Sequence, residues 1–115
     1  KYRKEKRKVD FNYKIRDILR SRIREAIKSK NSTKAFSSIE LLGCTIQEAR
    51  EHLEKQFKEG MTWKNHGING WHIDHIIPCA SFDLTIPEQQ KKCFHYTNLQ
   101  PLWKEENISK GAKIL

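Results

Sequence analysis

The chain has 115 residues, with 23 Lys and Arg against 14 Asp and Glu and a formal net charge of +9. That length suits one domain with a modest core, and no apolar run approaches the roughly 20 residues of a membrane span. Three singly spaced cysteines, Cys44, Cys79 and Cys93, argue against a disulfide framework and a Cys-x-x-Cys zinc knuckle, and read as small packing residues in a reducing, cytoplasmic compartment.

The charge is unevenly placed. Residues 1–34 hold 14 of the 23 basic residues and four acids, a balance of +10, whereas residues 35–115 hold nine basic and ten acidic residues, a balance of −1. A basic arm on a near-neutral body is a footprint for nucleic acid; a solvated helix face, a membrane-surface helix and a localisation signal are the other readings of such an arm. The chain begins with lysine, as a piece of a longer protein would.

In chain order, residues 1–8, "KYRKEKRK", carry almost no apolar content and are expected to lack structure until an anion binds. Asp10 reads as an N-cap. Phe11, Ile15, Ile18, Leu19, Ile23, Ala26 and Ile27 then recur at helical spacing, predicting an amphipathic helix over about 11–29. Arg16, Arg20, Arg24 and Lys28 form a basic stripe on it, and Arg22 falls inside the apolar arc, where it is expected to snorkel or to meet an acid. After a polar linker comes a short helical turn, "IELLG". Thr45 and Glu48 make a capping box for a second helix over about 46–59, which Gly60 should end. Trp71–Ile77 favours a strand stopped by Pro78. Residues 87–94 predict a helix opened by Pro87, "TNLQPLW" a short strand, and 103–110 a last helix ending at Gly111. This order fits an α+β fold better than a parallel α/β sheet.

The stretch "WHIDHIIP" (71–78) puts three titratable groups where a buried strand should run. Hydrolysis of a phosphodiester needs an activated water, a cation and fixed in-line geometry. Asp74 offers a hard oxygen to Mg²⁺ and Asn107 a neutral amide oxygen. His75 has the pKa class of a general base, and an asparagine such as Asn98 can hold a loop in one orientation. His72 lies two residues before Asp74 and so on the same strand face, as a third ligand, a phosphate contact or an ordinary histidine. Successive strand residues face opposite sides, so Asp74 and His75 share a site only if the strand bends or ends there.

"WHIDHIIPCASFD" followed by "CFHYTNLQPLWKEENISKG" resembles the HNH endonucleases, the ββα-metal nucleases. The match runs over about residues 71–111: Asp-His-Ile-x-Pro, then Asn-Leu-Gln-Pro-Leu, then Asn-x-x-Lys. The upstream stretch from residue 11 is similar to small HNH proteins of phages and large viruses. The resemblance implies a ββα-metal motif in the C-terminal half, supported by the two N-terminal helices. It implies His75 as general base, Asp74 and Asn107 as ligands of one Mg²⁺ or Mn²⁺, and Asn98 as the brace of the loop presenting His75. The implied products carry 5′-phosphate and 3′-hydroxyl ends. Where many members have a zinc-binding Cys pair, this chain has Trp103 and Glu106, so no structural zinc is expected.

The functional expectation is therefore a metal-dependent endonuclease acting on DNA, expected to be double-stranded, with Arg16, Arg20, Arg24, Lys28 and Lys110 contacting phosphates. The alternative is a non-catalytic nucleic-acid-binding module on the same scaffold. Residues 1–44 would form a basic DNA-binding extension and 45–115 the nuclease core, within one compact domain. The chain would act as a monomer or weak dimer, away from membranes, in a host cell if phage- or virus-encoded.

Overall fold

The computed structural model describes residues 2–30, 32–67 and 69–110, with side chains from residue 12 onward. Along them run α1 (Tyr2–Ser29), α2 (Ser38–Leu42), α3 (Ile46–Lys55), β1 (Trp71–His75), α4 (Pro87–Phe94), β2 (Leu99–Trp103) and α5 (Lys104–Lys110). The fold is α+β, with one antiparallel pair of strands among these residues. Gly111 lies outside them.

Two expectations at the N-terminus are corrected. The first helix starts at Tyr2, so residues 2–8 are its opening turns and not a structureless arm, and Asp10 lies inside it and not at its N-cap. Lys, Arg and Glu are good helix formers, and no Gly or Pro interrupts the run. Further along, Ile15, Leu19, Ile23 and Ile27 repeat every fourth residue and are buried. They join one core with Leu41, Leu42, Ala49, Leu53, Trp71, Ile73 and Phe94. Helix α1 is thus a wall of the core that supports the strands.

Capping boxes open α2 (Ser37 with Glu40) and α3 (Thr45 with Glu48). Gly43 closes α2 at φ +70°, and a Cβ there would press on the His95 ring at 2.8 Å. Helix α3 ends at Lys55, earlier than expected. Beyond it the Gln56 side chain turns to donate to the Leu99 carbonyl (3.1 Å), and the Phe57 ring packs on Trp71, centroids 5.0 Å apart. These contacts pull the chain off the helix axis before Gly60 is reached.

The strand also ends early, at His75 rather than Ile77. Its register pairs Trp71 with Trp103, Ile73 with Pro101 and His75 with Leu99. Two flanking rungs set the phase of the ladder: Ile76 N–H to the Asn98 carbonyl (2.8 Å) and Lys104 N–H to the Gly70 carbonyl (2.9 Å). In that phase residue 101 occupies a non-hydrogen-bonded position, where proline's missing N–H breaks no rung. The carbonyls of Trp71, Ile73 and His75 consequently point away from β2. Gly67 N–H donates to the first (3.1 Å), the Arg22 guanidinium to the second (2.7 Å) and the Lys110 ammonium to the third (2.6 Å). Arg22, expected to snorkel or to meet an acid, thus meets a backbone carbonyl; its Nε is buried with no hydrogen-bond partner among the described residues.

One buried polar side chain stitches the polar linker to this body. Gln90 on α4 is 1% exposed. It accepts from Ala35 N–H (3.0 Å) and donates to the carbonyls of Thr33 (2.9 Å) and Leu84 (2.8 Å). Replacing it with an apolar residue of similar size strands those backbone groups. Gln90→Leu is expected to lower unfolding stability by about 2 kcal/mol, read from urea denaturation; an unchanged midpoint would show that the linker is held by other means.

Candidate functional site

Strand alternation separates the polar residues of β1. Trp71 and Ile73 face the core, and His75 lies on that same side. His72 and Asp74 face α5. On α5, Asn107 and Lys110 are one turn apart and so share a face. The two faces meet in register. The Asn107 amide nitrogen donates to His72 Nδ1 (2.9 Å). Lys110 Nζ lies 2.9 Å from Asp74 Oδ2, and Gln100, opposite Asp74 in the ladder, donates to the same oxygen (3.0 Å). Asp74 is 8% and Lys110 1% exposed.

Lys110 was expected to reach phosphate. It is instead buried, with its ammonium shared between Asp74 and the His75 carbonyl. That contact neutralises a carboxylate which would otherwise be desolvated alone. Both contacts to Asp74 fall on Oδ2, and the Asn107 amide turns its nitrogen to His72. Asp74 Oδ1 and the Asn107 amide oxygen are hard donors of the type Mg²⁺ takes.

His75 turns the other way. Its Nδ1 is 3.5 Å from Cys79 Sγ, its ring packs edge-on to Phe94 at 5.5 Å, and Cys93 Sγ lies 3.1 Å from Cys79 Sγ. The thiol pair is asymmetric. Cys93 donates to Cys79 and so pulls the Cys79 thiol well below the usual range; His75 and the positive charge of Arg22 act in the same direction. Cys93, as the donor and buried beside that sulfur, is pushed up. Cys44, apart from them, is raised to about 11 by burial and by Glu48. The expected packing role of Cys79 and Cys93 is therefore only part of their setting.

Asn98 ties two neighbouring backbone segments together. Its amide nitrogen donates to the carbonyls of Ile77 (3.1 Å) and Cys93 (2.9 Å), and its oxygen accepts from Ile77 N–H (2.9 Å). Together with the Ile76 rung, this fixes the two residues that follow His75. Trp103 and Glu106 close the start of α5 directly: Trp103 N–H donates to Glu106 Oε1 (3.1 Å), and Lys58 pairs with the same carboxylate at 2.6 Å. The Lys58 contact, then the Trp103 N–H, hold that carboxyl below its ordinary range.

On α1, Arg20, Arg24 and Lys28 are exposed. Arg16 is partly withdrawn from the stripe: it lies over the Tyr13 ring (4.4 Å) and 3.5 Å from Asp17, with its Nε buried. Lys34, from the linker, joins the basic surface. Partial burial and the charges of Arg20 and Arg24 lower its pKa, and it lines shallow grooves with Arg20 on one side and with Arg24 and Lys28 on the other. No spacing rule on α1 could have identified it.

The remaining histidines have structural partners. His52 meets the Leu99 carbonyl (3.2 Å), and His95 bonds Thr97 (2.8 Å). His66 packs edge-on to Trp71 at 4.8 Å; burial, then His72 and Arg22, lower its pKa and favour the neutral ring. Trp63 donates to Glu54 (2.7 Å) and packs on Trp71. Asn65 donates to the Gly60 carbonyl (2.8 Å). Gln100, Arg22 and the thiol pair were missed as site residues. Gln100 had a visible signal as a polar residue in an otherwise apolar strand, and Arg22 had one as a cation inside an apolar helix arc.

The buried pair gives a stability test. Lys110→Met leaves Asp74 desolvated without its cation and is expected to lower unfolding stability by about 3 kcal/mol. Lys110→Met combined with Asp74→Leu should recover part of that loss. A double-variant loss equal to the sum of the Lys110→Met and Asp74→Leu losses, measured by urea denaturation, would show that the pair is not coupled.

No family model and no solved structure matches the chain. It is similar to two proteins of Acanthamoeba polyphaga mimivirus, "Uncharacterized protein L426" (44% identical over 107 residues) and "Uncharacterized protein L246" (42% over 107 residues). Each alignment covers 93% of this chain and 46% of the relative, so the chain spans less than half the length of the curated relatives it matches. Among the described residues no helix is long and apolar enough to cross a membrane.

Proposed function

We propose that the chain is a metal-dependent DNA endonuclease of the HNH type, cutting phosphodiesters to 5′-phosphate and 3′-hydroxyl ends. The observation that carries this reading is the convergence of His72 and Asp74 on β1 with Asn107 and Lys110 on α5, beside a residue 75 whose following turn is tied by Asn98. An antiparallel strand pair running straight into a helix is what a ββα-metal motif requires.

In this reading Asp74 and Asn107 hold Mg²⁺ or Mn²⁺, and their oxygen donors suit such an ion. A bound divalent cation supplies positive charge to the phosphoryl oxygen and to the leaving oxygen. His75 takes the proton from water. With Cys79 as thiolate, Nδ1–H donates to sulfur and the lone pair stays on Nε2, the arrangement a base needs. Asn98 keeps the ring's backbone from shifting. Asp74 and His75 leave β1 on opposite sides, so the scissile phosphate would lie across the end of the strand, where the ladder stops. Arg20, Arg24, Lys28 and Lys34 grip the backbone, which gives affinity but little sequence information.

A second reading is a nucleic-acid-binding module without catalysis. It is favoured by the Asp74 oxygen already held by Lys110 and Gln100, and by the His75 ring facing the thiols.

Plasmid nicking with Mg²⁺, run beside EDTA, separates the two. Cleavage is expected with Mg²⁺ alone, and His75→Ala should lower it by about 10² or more while DNA retardation survives. Undiminished cutting by His75→Ala would remove that residue from its role, and retardation without cutting in the wild type would favour the binding module. For the basic surface, Arg20→Ala, Arg24→Ala and Lys28→Ala combined should flatten the slope of log affinity against log salt by about 2 to 3, as fewer counterions are released. An unchanged slope would place the DNA elsewhere.

A further inference from the structure

We infer that His75, Cys79 and Cys93 form a binding site for a soft divalent metal ion such as Zn²⁺, separate from the oxygen donors on the α5 side of β1. The three ligand atoms all lie within 4.8 Å of one another. They come from three elements that the fold holds together: the end of β1, the turn after it, and α4.

One ligand separation already matches that of a tetrahedral site, and the others lie within reach of it. With metal–sulfur bonds of about 2.3 Å and metal–nitrogen bonds of about 2.0–2.1 Å, tetrahedral ligands lie about 3.8 Å apart for two sulfurs and about 3.5 Å for sulfur and nitrogen. The Cys79 sulfur is already 3.5 Å from His75 Nδ1. The sulfurs, 3.1 Å apart, touch as a thiol hydrogen bond and not as a disulfide, and would have to open by about 0.7 Å.

The chemistry fits as well. Two thiolates and one imidazole select Zn²⁺ over Mg²⁺. Two thiolates cancel the charge of a divalent ion, so the filled site buries no net charge. Cys93 is fully buried, whereas Cys79 is partly exposed, leaving a side from which solvent can supply a fourth ligand. The inference concerns binding alone and stands whether or not the chain cuts DNA.

The test uses the full chain, kept reduced and titrated with Co²⁺ as a spectroscopic stand-in for Zn²⁺. The expected result is a thiolate-to-cobalt charge-transfer band saturating at one ion per chain and displaced by Zn²⁺. Cys79→Ser and His75→Ala should weaken binding by at least about tenfold, whereas Cys44→Ser should leave it unchanged; far-UV circular dichroism checks that each variant is folded. The proposal fails if reduced wild-type protein gives no band, or if the band survives Cys79→Ser undiminished. Loss of the band in Cys44→Ser would likewise overturn it.

Discussion

A lysine ammonium with 1% of its surface in water has to be held by groups that offset its lost hydration, and at the end of α5 those groups are the Asp74 carboxylate and the His75 carbonyl. This contact orders the C-terminal half. It sets the rotation of a seven-residue helix that could not stand alone in water. Asn107, one turn earlier, is thereby placed against His72. Glu106 at the other end of the helix is fixed by Lys58 and the Trp103 N–H. Helix α5 is thus held at both ends by charge, and the residues facing β1 follow from that.

Strand β1 is a partition between two kinds of chemistry. Toward α5 it presents hard oxygens, and toward α4 an imidazole with two sulfurs. His75 is the member whose ring serves the second set and whose carbonyl serves the first. If a metal took the Nδ1 lone pair, the remaining ring proton would sit on Nε2, and the imidazole would donate rather than accept. A thiolate at Cys79 has the opposite effect, since it draws the proton to Nδ1. The occupant of the sulfur side would therefore decide whether His75 can act as a base.

Much of the fold was legible because it rests on local rules. The capping box at Thr45, Pro87 at the start of α4 and the four-residue spacing of Ile15, Leu19, Ile23 and Ile27 all appear where the residues place them. The N-terminal turns were misread because composition argues for solvation, whereas helix propensity is indifferent to a missing apolar face. The ends of α3 and β1 were set by tertiary contacts, those of Gln56 and Phe57 in one case and Asn98 in the other. Near the strand end, Asn98 was legible as a residue able to hold a loop, and its contacts are of that kind. The Lys110–Asp74 and His75–Cys79 contacts were not legible, since each depends on which side of a strand faces which helix.

The outward carbonyls of β1 carry a consequence for association. A two-stranded sheet offers its outer edges to any passing chain that can add a third strand, and such templates seed aggregation. Along β1 the edge is already closed by a guanidinium, an ammonium and a glycine N–H. An incoming strand would have to displace two buried or half-buried cations before making its first rung. With 37% hydrophobic residues and a short sheet, the chain is thus guarded along β1 against the edge-to-edge stacking that leads to fibres.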